Sequence, residues 1–383
     1  MPIPLEKSLE KWLAAGAIDQ GAAQRIRMFE AERGSSERLR WPILLAVALG
    51  GILLCAGVLL FVSAHWDEIS PGTRFALVLS MVALFPVCGA LTSEKFPVLS
   101  TTFHAVGTMC FGAGIFLAAQ IFNLEENWTN GILLWAAGAL VGWLLLRKWP
   151  HAALLAVLAP MWLVGQLANR TGLDWGRGSS LLWDGLLLLA LTYFSARMTD
   201  RDSPERKALA QIGGIALLPC AIAAVVVRGE FNANYDRGAP SAMFMMFAWI
   251  IAIGVPLGMA FLLRRSASWM NVVSALWVLG LRLVAPYKAF LWDDWDVLGL
   301  YVWAGIGALG IIAWGVAERR RERVNLGVAG FGLTVLFFYF SSVMDKLGRA
   351  ASLAGIGVLL LAGGWGLEKA RRSLIAGFWG KTT

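Results

Sequence analysis

Residues 41–66 read WPILLAVALGGILLCAGVLLFVSAHW, an apolar segment without one Asp, Glu, Lys or Arg. At about 1.5 Å per residue, a helix of this length crosses a hydrocarbon core of about 30 Å. A tryptophan stands at each end, where lipid headgroups favour an amphipathic ring. Arg38 and Arg40 precede the segment, and Asp67 and Glu68 follow it. The segment therefore predicts a membrane span whose amino end stays in the cytosol.

The composition of the whole chain also indicates a lipid environment. Of its 383 residues, 58% are hydrophobic and 15% are charged, whereas soluble domains carry about 25% charged residues. Similar apolar runs recur along the chain, at about 42–64, 75–92, 101–122, 131–146, 150–168, 180–196, 208–227, 242–263, 268–287, 297–317, 325–343 and 350–367. We therefore predict an all-α fold, a polytopic integral membrane helix bundle with about twelve transmembrane helices.

The charged amino-terminal residues predict a small helical hairpin. Leu9 and Trp12 recur at helical spacing, Gly16 interrupts the run, and Asp19 is placed to cap a second helix. A hairpin this short cannot hold a stable core alone, so it either docks a cytosolic protein partner or lies as a flap against the bundle. The predicted parts of the chain are a cytosolic hairpin at 1–40, a transmembrane bundle at 41–368 and a cytosolic tail at 369–383.

The basic residues predict the orientation. With the amino end in the cytosol, 24 of the 33 lysines and arginines fall on the cytosolic side. This bias predicts that both termini are cytosolic. The net charge of +8 is spread over short clusters between apolar runs, so the expected partner is the lipid bilayer and not nucleic acid.

Two parts of the sequence resemble a known family. The first apolar segment, which is rich in glycine, ends in Ala64-His65-Trp66-Asp67-Glu68, and the third run contains Phe111-Gly112-Ala113-Gly114-Ile115-Phe116. Together with the opening hairpin, they resemble the predicted bacterial membrane proteins grouped as domain of unknown function 2157, over roughly residues 5–150. The resemblance implies a location in the bacterial cytoplasmic (inner) membrane and carries no activity.

The predicted external turns combine aromatic rings with carboxylates, and the segment WDDWD at 292–296 is the densest. A ring offers stacking area and an acid a directed acceptor, so such turns could receive a small-molecule or lipid ligand. The alternative is an interfacial tryptophan belt beside the acids that remain where basic residues are excluded. The candidate ligand-binding residues at these turns are Trp66, Asp67, Trp292, Asp293 and Trp295.

Polar residues inside the predicted spans form a second group of candidates. Asp184 and Arg282 lie near the external ends of their spans, where they would meet as a buried pair, unless Arg282 extends outward to Asp293. His104 and Gln120 are further candidates for a polar path through the bundle. The alternative is that these polar groups join helices to one another.

The sequence predicts no catalytic residue, no cofactor and no metal site. The adjacent acid pairs point apart, and no Ser–His or Cys–His arrangement joins them. His65 falls on the predicted outer side, whereas His104 and His151 fall on the inner side. The motif GIGALG at 305–310 matches a dinucleotide fingerprint but lies inside an apolar run, which favours close helix packing. The four cysteines, which we expect to be free buried thiols, are Cys55, Cys88, Cys110 and Cys220.

These patterns favour a protein that binds or transports a small solute or a lipid-linked molecule. The alternative is a scaffold or sensor without transport, which contacts a cytosolic partner through residues 1–40. A third hypothesis is a membrane-embedded transferase that acts on envelope lipid or glycan.

Overall fold

The computed structural model describes residues 9, 12–26, 28, 53, 68–122, 127–171, 180–198, 202–230, 242–284, 295–343 and 349–379. Every regular element among them is helical. The chain divides into two compact units, Met1–Arg74 and Phe75–Thr383. The predicted all-α fold class is therefore confirmed for the described part of the chain.

The described residues of the first unit contain a helical turn closed at Gly16. Gly16 adopts φ +67°, a left-handed conformation that glycine accepts without strain. The Ala17 N–H donates to the carbonyl of Trp12 at 2.9 Å across this turn. Asp19 then accepts the Ala22 N–H at 2.7 Å, which is the side-chain cap that the sequence predicts. The rest of the predicted hairpin, and the first apolar run apart from Leu53, lie outside the described residues.

The α-helices are α1 (Pro71–Leu91), α2 (Pro97–Ile121), α3 (Trp128–Leu146), α4 (Trp149–Thr171), α5 (Ser180–Phe194), α6 (Pro204–Glu230), α7 (Ala242–Arg264), α8 (Trp269–Val284), α9 (Trp295–Ala317), α10 (Arg321–Phe338), α11 (Arg349–Val358) and α12 (Gly364–Trp379). A 3-10 turn, Arg265–Ser268, joins α7 to α8. One π-helical turn, Tyr339–Val343, follows α10, and another, Leu359–Gly363, joins α11 to α12.

Eight helical stretches among the described residues are long and apolar enough to cross a membrane. They do not establish the predicted count of twelve. In the run at 42–64 only Leu53 is described, and the runs at 242–263 and 268–287 merge into the single stretch Met246–Val284. The run at 350–367 is interrupted by the π-helical turn, and α5 is a shorter helix.

Helix α5 is the buried centre of the second unit. Its 15 residues extend only about 22 Å, which is less than a hydrocarbon core. Leu187 and Leu191 pack in one core cluster with Leu217 of α6, Leu281 of α8 and Leu300 of α9. Because neighbouring helices cover it, α5 can end inside the bundle, where other protein groups satisfy its backbone.

Helices α8 and α9 interlock through tryptophan and glycine. The indole N–H of Trp277 donates to the Trp303 carbonyl at 2.9 Å, and that of Trp303 donates to the Trp277 carbonyl at 3.0 Å. Each ring lies against a glycine of the other helix, Trp277 on Gly307 and Trp303 on Gly280. Gly307 belongs to the GIGALG motif, so the predicted packing role of the motif is confirmed at this residue.

Candidate functional site

Helices α5 and α8 are antiparallel and are joined by polar contacts at both ends. Asp184, near the start of α5, lies 3.8 Å from Arg282, near the end of α8. Ser195, directly after α5, accepts a 3.0 Å hydrogen bond from Asn271 at the start of α8. Eleven residues separate the two levels, or about 16 Å along a helix. We refer to these levels as the Asp184 end and the Ser195 end.

The Asp184 end contains a buried acid and a half-exposed base. The Asp184 side chain is 2% exposed and that of Arg282 is 41% exposed. The Arg282 guanidinium also donates to the Ser180 hydroxyl at 3.1 Å, and its carbon lies 4.1 Å from the centre of the Trp249 ring. The cation is therefore held by a charge and a hydroxyl from α5 and by an aromatic face from α7.

The Asp184–Arg282 pair lies inside the bundle, away from the level at which α9 begins. A Cβ on Gly299 would be 3.3 Å from the Val284 side chain, so the end of α8 is level with the second turn of α9. Arg282 is therefore level with the residues near Tyr301, about 9 Å inside the start of α9. Ionisable groups at such a depth are costly in lipid unless they pair or serve a function.

The other predicted site residues are only partly described. Trp66, Asp67, Trp292 and Asp293 lie outside the described residues, and Trp295 begins α9 with a side chain that is not described. Gln120 lies near the end of α2, and its side chain is exposed. The external aromatic and acidic surface therefore remains a prediction.

His104 lies in a cluster of polar side chains from α2, α4 and the turn between α3 and α4. Its buried ring packs on Gly89, where a Cβ would be 2.8 Å from Nε2. In the same region, Lys148 donates to the Ser100 hydroxyl at 2.6 Å, and Ser100 donates to the Gly89 carbonyl at 2.5 Å. Loss of solvent lowers the pKa of the Lys148 ammonium.

His151 belongs to the same cluster. Its Nε2 lies 3.2 Å from the Thr108 hydroxyl, while its Nδ1 is buried without a hydrogen-bond partner in the described part of the chain. Within the described ranges, no group of three His, Cys, Asp or Glu side chains is arranged to hold a metal ion. With no acid in the contacts that these side chains make, the cluster is suited to joining helices and to holding an anion or a water molecule.

The Ser195 end contains an ion cluster that the sequence did not predict. The Glu318 carboxylate accepts hydrogen bonds from Arg264 and Arg323, and one from the Trp314 indole N–H at 2.6 Å. Both guanidinium groups lie over the Trp314 ring, with their carbons 5.2 and 4.9 Å from its centre. The arginine side chains are only 1% and 3% exposed.

This Glu318 cluster also caps the carboxyl end of α5. Arg264 donates to the Ser195 carbonyl at 2.6 Å, and Arg323 donates to the Arg197 carbonyl at 3.2 Å. Cations suit this position because the end of a helix presents unpaired carbonyls with partial negative charge. Burial raises the pKa of Glu318, but the hydrogen bonds from Arg264 and Trp314 and the charge of Arg323 outweigh it and hold the pKa below its usual value.

The sequence contained one signal for this cluster. Trp314 and Glu318 are four residues apart, which places them on the same face of α9. We interpreted the arginines as determinants of orientation because Glu318 is followed directly by Arg319, Arg320 and Arg321. Arg264 contacts residues that are 54 to 69 positions away in the sequence. No pattern in its neighbouring residues predicts these contacts.

The fold and these sites define an all-helical membrane protein with several apolar, membrane-length helices. The family model described as "Predicted membrane protein (DUF2157)" matches residues 10–152 and confirms the family resemblance in that part of the chain. His104, Gln120 and Lys148 lie within the matched residues, whereas Asp184, Arg282 and the Glu318 cluster lie beyond them. Searches of curated proteins and of solved structures found no match to the chain.

Proposed function

We propose that this protein is a multi-pass protein of a bacterial cytoplasmic membrane, with both termini in the cytosol. In this proposal it binds, and carries across the bilayer, a small solute or lipid-linked molecule that has an anionic group. The binding residues are Asp184 and Arg282, and the predicted external turns that contain Trp66, Asp67, Trp292, Asp293 and Trp295 receive the ligand.

The observation that supports this function is the asymmetry of the Asp184–Arg282 pair. The acid is 2% exposed and the base 41% exposed, so the bundle encloses the acid while the base is partly exposed. Stacking on Trp249 orients the plane of the guanidinium. An oriented guanidinium binds carboxylate or phosphate through two parallel hydrogen bonds. The buried acid would keep the cation in place when the ligand leaves.

The test measures stabilisation of the purified chain by three anionic probes: succinate, glycerol 3-phosphate and farnesyl phosphate. We expect at least one probe to raise the thermal unfolding midpoint of the wild type. The double variant Asp184→Asn/Arg282→Gln, which removes both charges without leaving a buried acid unpaired, should lose that shift. Arg265→Gln removes an exposed arginine at the Ser195 end and should retain it.

Two results would contradict the proposal. If the double variant is stabilised as much as the wild type, the pair only joins helices. If no probe stabilises the wild type, the scaffold or sensor hypothesis is favoured. One observation is consistent with that hypothesis, because the predicted hairpin at 1–40 belongs to a compact unit, Met1–Arg74, that is separate from the rest of the chain.

A further inference from the structure

An open cavity of about 620 Å³ lies at the Ser195 end, far from the Asp184–Arg282 pair. It is formed where α7, the 3-10 turn and α8 meet the end of α9 and the segment before α6. Its lining combines charged and apolar side chains, among them Asp202, Arg264, Trp269, Met270, Arg319 and Arg320.

The acids in this lining are already bonded to cations. Glu318 is bonded to Arg264 and Arg323, as described above. Asp202 lies 2.9 Å from Arg197 and 3.8 Å from Lys207. The hydrogen bond from Arg197 is the main reason that the pKa of Asp202 is below its usual value. Arg319 and Arg320 therefore give the rim of the cavity its positive charge.

Arg319 lies in the turn that ends α9 and lines the cavity. Arg319 adopts φ +53°, the left-handed conformation at the end of α9, where glycine is the favoured residue. The Arg320 N–H closes the turn on the Gly315 carbonyl at 2.7 Å. Arginine in this conformation costs free energy that glycine would avoid. Arg147 and Arg265 adopt the same conformation elsewhere in the chain, and Arg319 is distinguished from them by its position in the cavity lining.

The other side of the cavity is apolar and open to the surroundings of the bundle. Trp269 is 59% exposed, and Met270 and Met198 lie beside it in the lining. Trp269 begins the apolar helix α8, and a tryptophan at such a position is typical of the headgroup level of a bilayer. The cavity thus has cationic side chains that can contact an anionic group, and an aromatic ring that can contact the first carbons of an acyl chain.

We propose that this cavity is a binding site for a phosphate group, and that its ligand is the headgroup of an anionic phospholipid. Basic pockets between transmembrane helices commonly bind such headgroups. Arg319 and Arg320 bind the phosphate, buried Arg264 contributes positive charge from below, and Trp269 contacts the glycerol and chain. This site is separate from the proposed Asp184–Arg282 site.

The experiment is calorimetric titration of the full-length chain in detergent with dioctanoyl phosphatidylglycerol. Inorganic phosphate and dioctanoyl phosphatidylcholine are titrated separately. We expect the anionic lipid to bind the wild type more tightly than the zwitterionic lipid. In Arg319→Gln/Arg320→Gln the affinity should fall by about 30-fold, since each guanidinium near a headgroup contributes about fivefold.

The matched control is Arg265→Gln/Arg372→Gln, which also removes two exposed arginines but leaves the cavity lining unchanged. It should bind the lipid like the wild type. If inorganic phosphate binds as tightly as the lipid with the same dependence on Arg319 and Arg320, the site exists and its ligand is soluble phosphate. Equal losses in both double variants, or no preference for the anionic lipid, would overturn the proposal.

Discussion

At the scale of single residues, the negative charge of Glu318 balances the positive charge of two arginines that are almost completely buried. Arg264 and Arg323 share its carboxylate, and each also donates to a carbonyl beyond the end of α5. Two cations in this position are stable only while the acid is charged and in contact, since an unpaired buried charge is costly.

Glu318→Gln should therefore lower the free energy of unfolding by about 3 kcal/mol, measured by denaturant titration in detergent. Glu322→Gln is the matched control. Glu322 is 58% exposed and is paired with the partly exposed Arg197 at 2.7 Å, so its loss should cost about 1 kcal/mol or less. Equal effects of the two substitutions would contradict this account of the cluster.

The same cluster predicts a dependence of stability on pH. Because contacts in the folded state hold the pKa of Glu318 below its usual value, the charged acid stabilises the fold fully above the pKa of the unfolded chain. That stabilisation is lost as the pH falls through the lower, folded pKa. The wild type should therefore lose more stability than Glu318→Gln as the pH is lowered from 6 to 3.

Single residues differed in how readily the sequence revealed them. Asp184 and Arg282 were found because a charge inside an apolar run must find a partner, and the structure places them in contact. The importance of Arg264 and Glu318 was missed because they lie where charges are expected, next to basic turns. Their burial depends on contacts with residues far away in the sequence, and the neighbouring residues in the sequence do not reveal such contacts.

At the scale of elements, helix positions followed from the apolar runs, but helix interruptions did not. The sequence predicted spans at 268–287 and 350–367, yet nothing in it indicated the π-helical turn Leu359–Gly363. The predicted run at 180–196 agrees with α5 to within two residues, but its burial by other helices was missed, because a leucine-rich run looks the same whether lipid or other helices surround it. Packing of glycine against aromatic rings was expected for the GIGALG motif and is found at Gly307.

Gly307→Ala should destabilise the bundle by about 1–3 kcal/mol. A Cβ there would lie 2.1 Å from the Trp277 ring, and that ring is fixed by its hydrogen bond to Trp303. Gly310→Ala, in the same helix, is the control. A Cβ at Gly310 meets nothing within 4 Å, and alanine favours a helix by up to about 1 kcal/mol.

Thermal unfolding midpoints of the two variants give the comparison. Gly307→Ala should unfold at a lower temperature than the wild type, and Gly310→Ala at the same or a higher one. If both shift equally, the interlock between α8 and α9 does not determine the packing of these helices.

At the scale of the whole molecule, composition predicted a lipid environment because too few charged residues are present to cover a soluble protein of this size. The distribution of basic residues also predicts the orientation of the chain in the membrane. Arg264, Glu318, Arg319 and Arg323 all lie at the Ser195 end, the end that the sequence assigns to the cytosol. Both proposed sites depend on this orientation, because one is to receive a solute from outside and the other a lipid from the inner leaflet.

The direct test uses a chain in which the four native cysteines are replaced by alanine and one new cysteine is introduced at a time. Asn130→Cys lies at the exposed start of α3, on the predicted outer side, and Arg265→Cys lies in the exposed 3-10 turn at the Ser195 end. A membrane-impermeant maleimide is added to intact spheroplasts and, separately, to lysed ones. The account predicts that Asn130→Cys is labelled in both and Arg265→Cys only after lysis. Labelling of Arg265→Cys in intact spheroplasts, with Asn130→Cys protected, would contradict it.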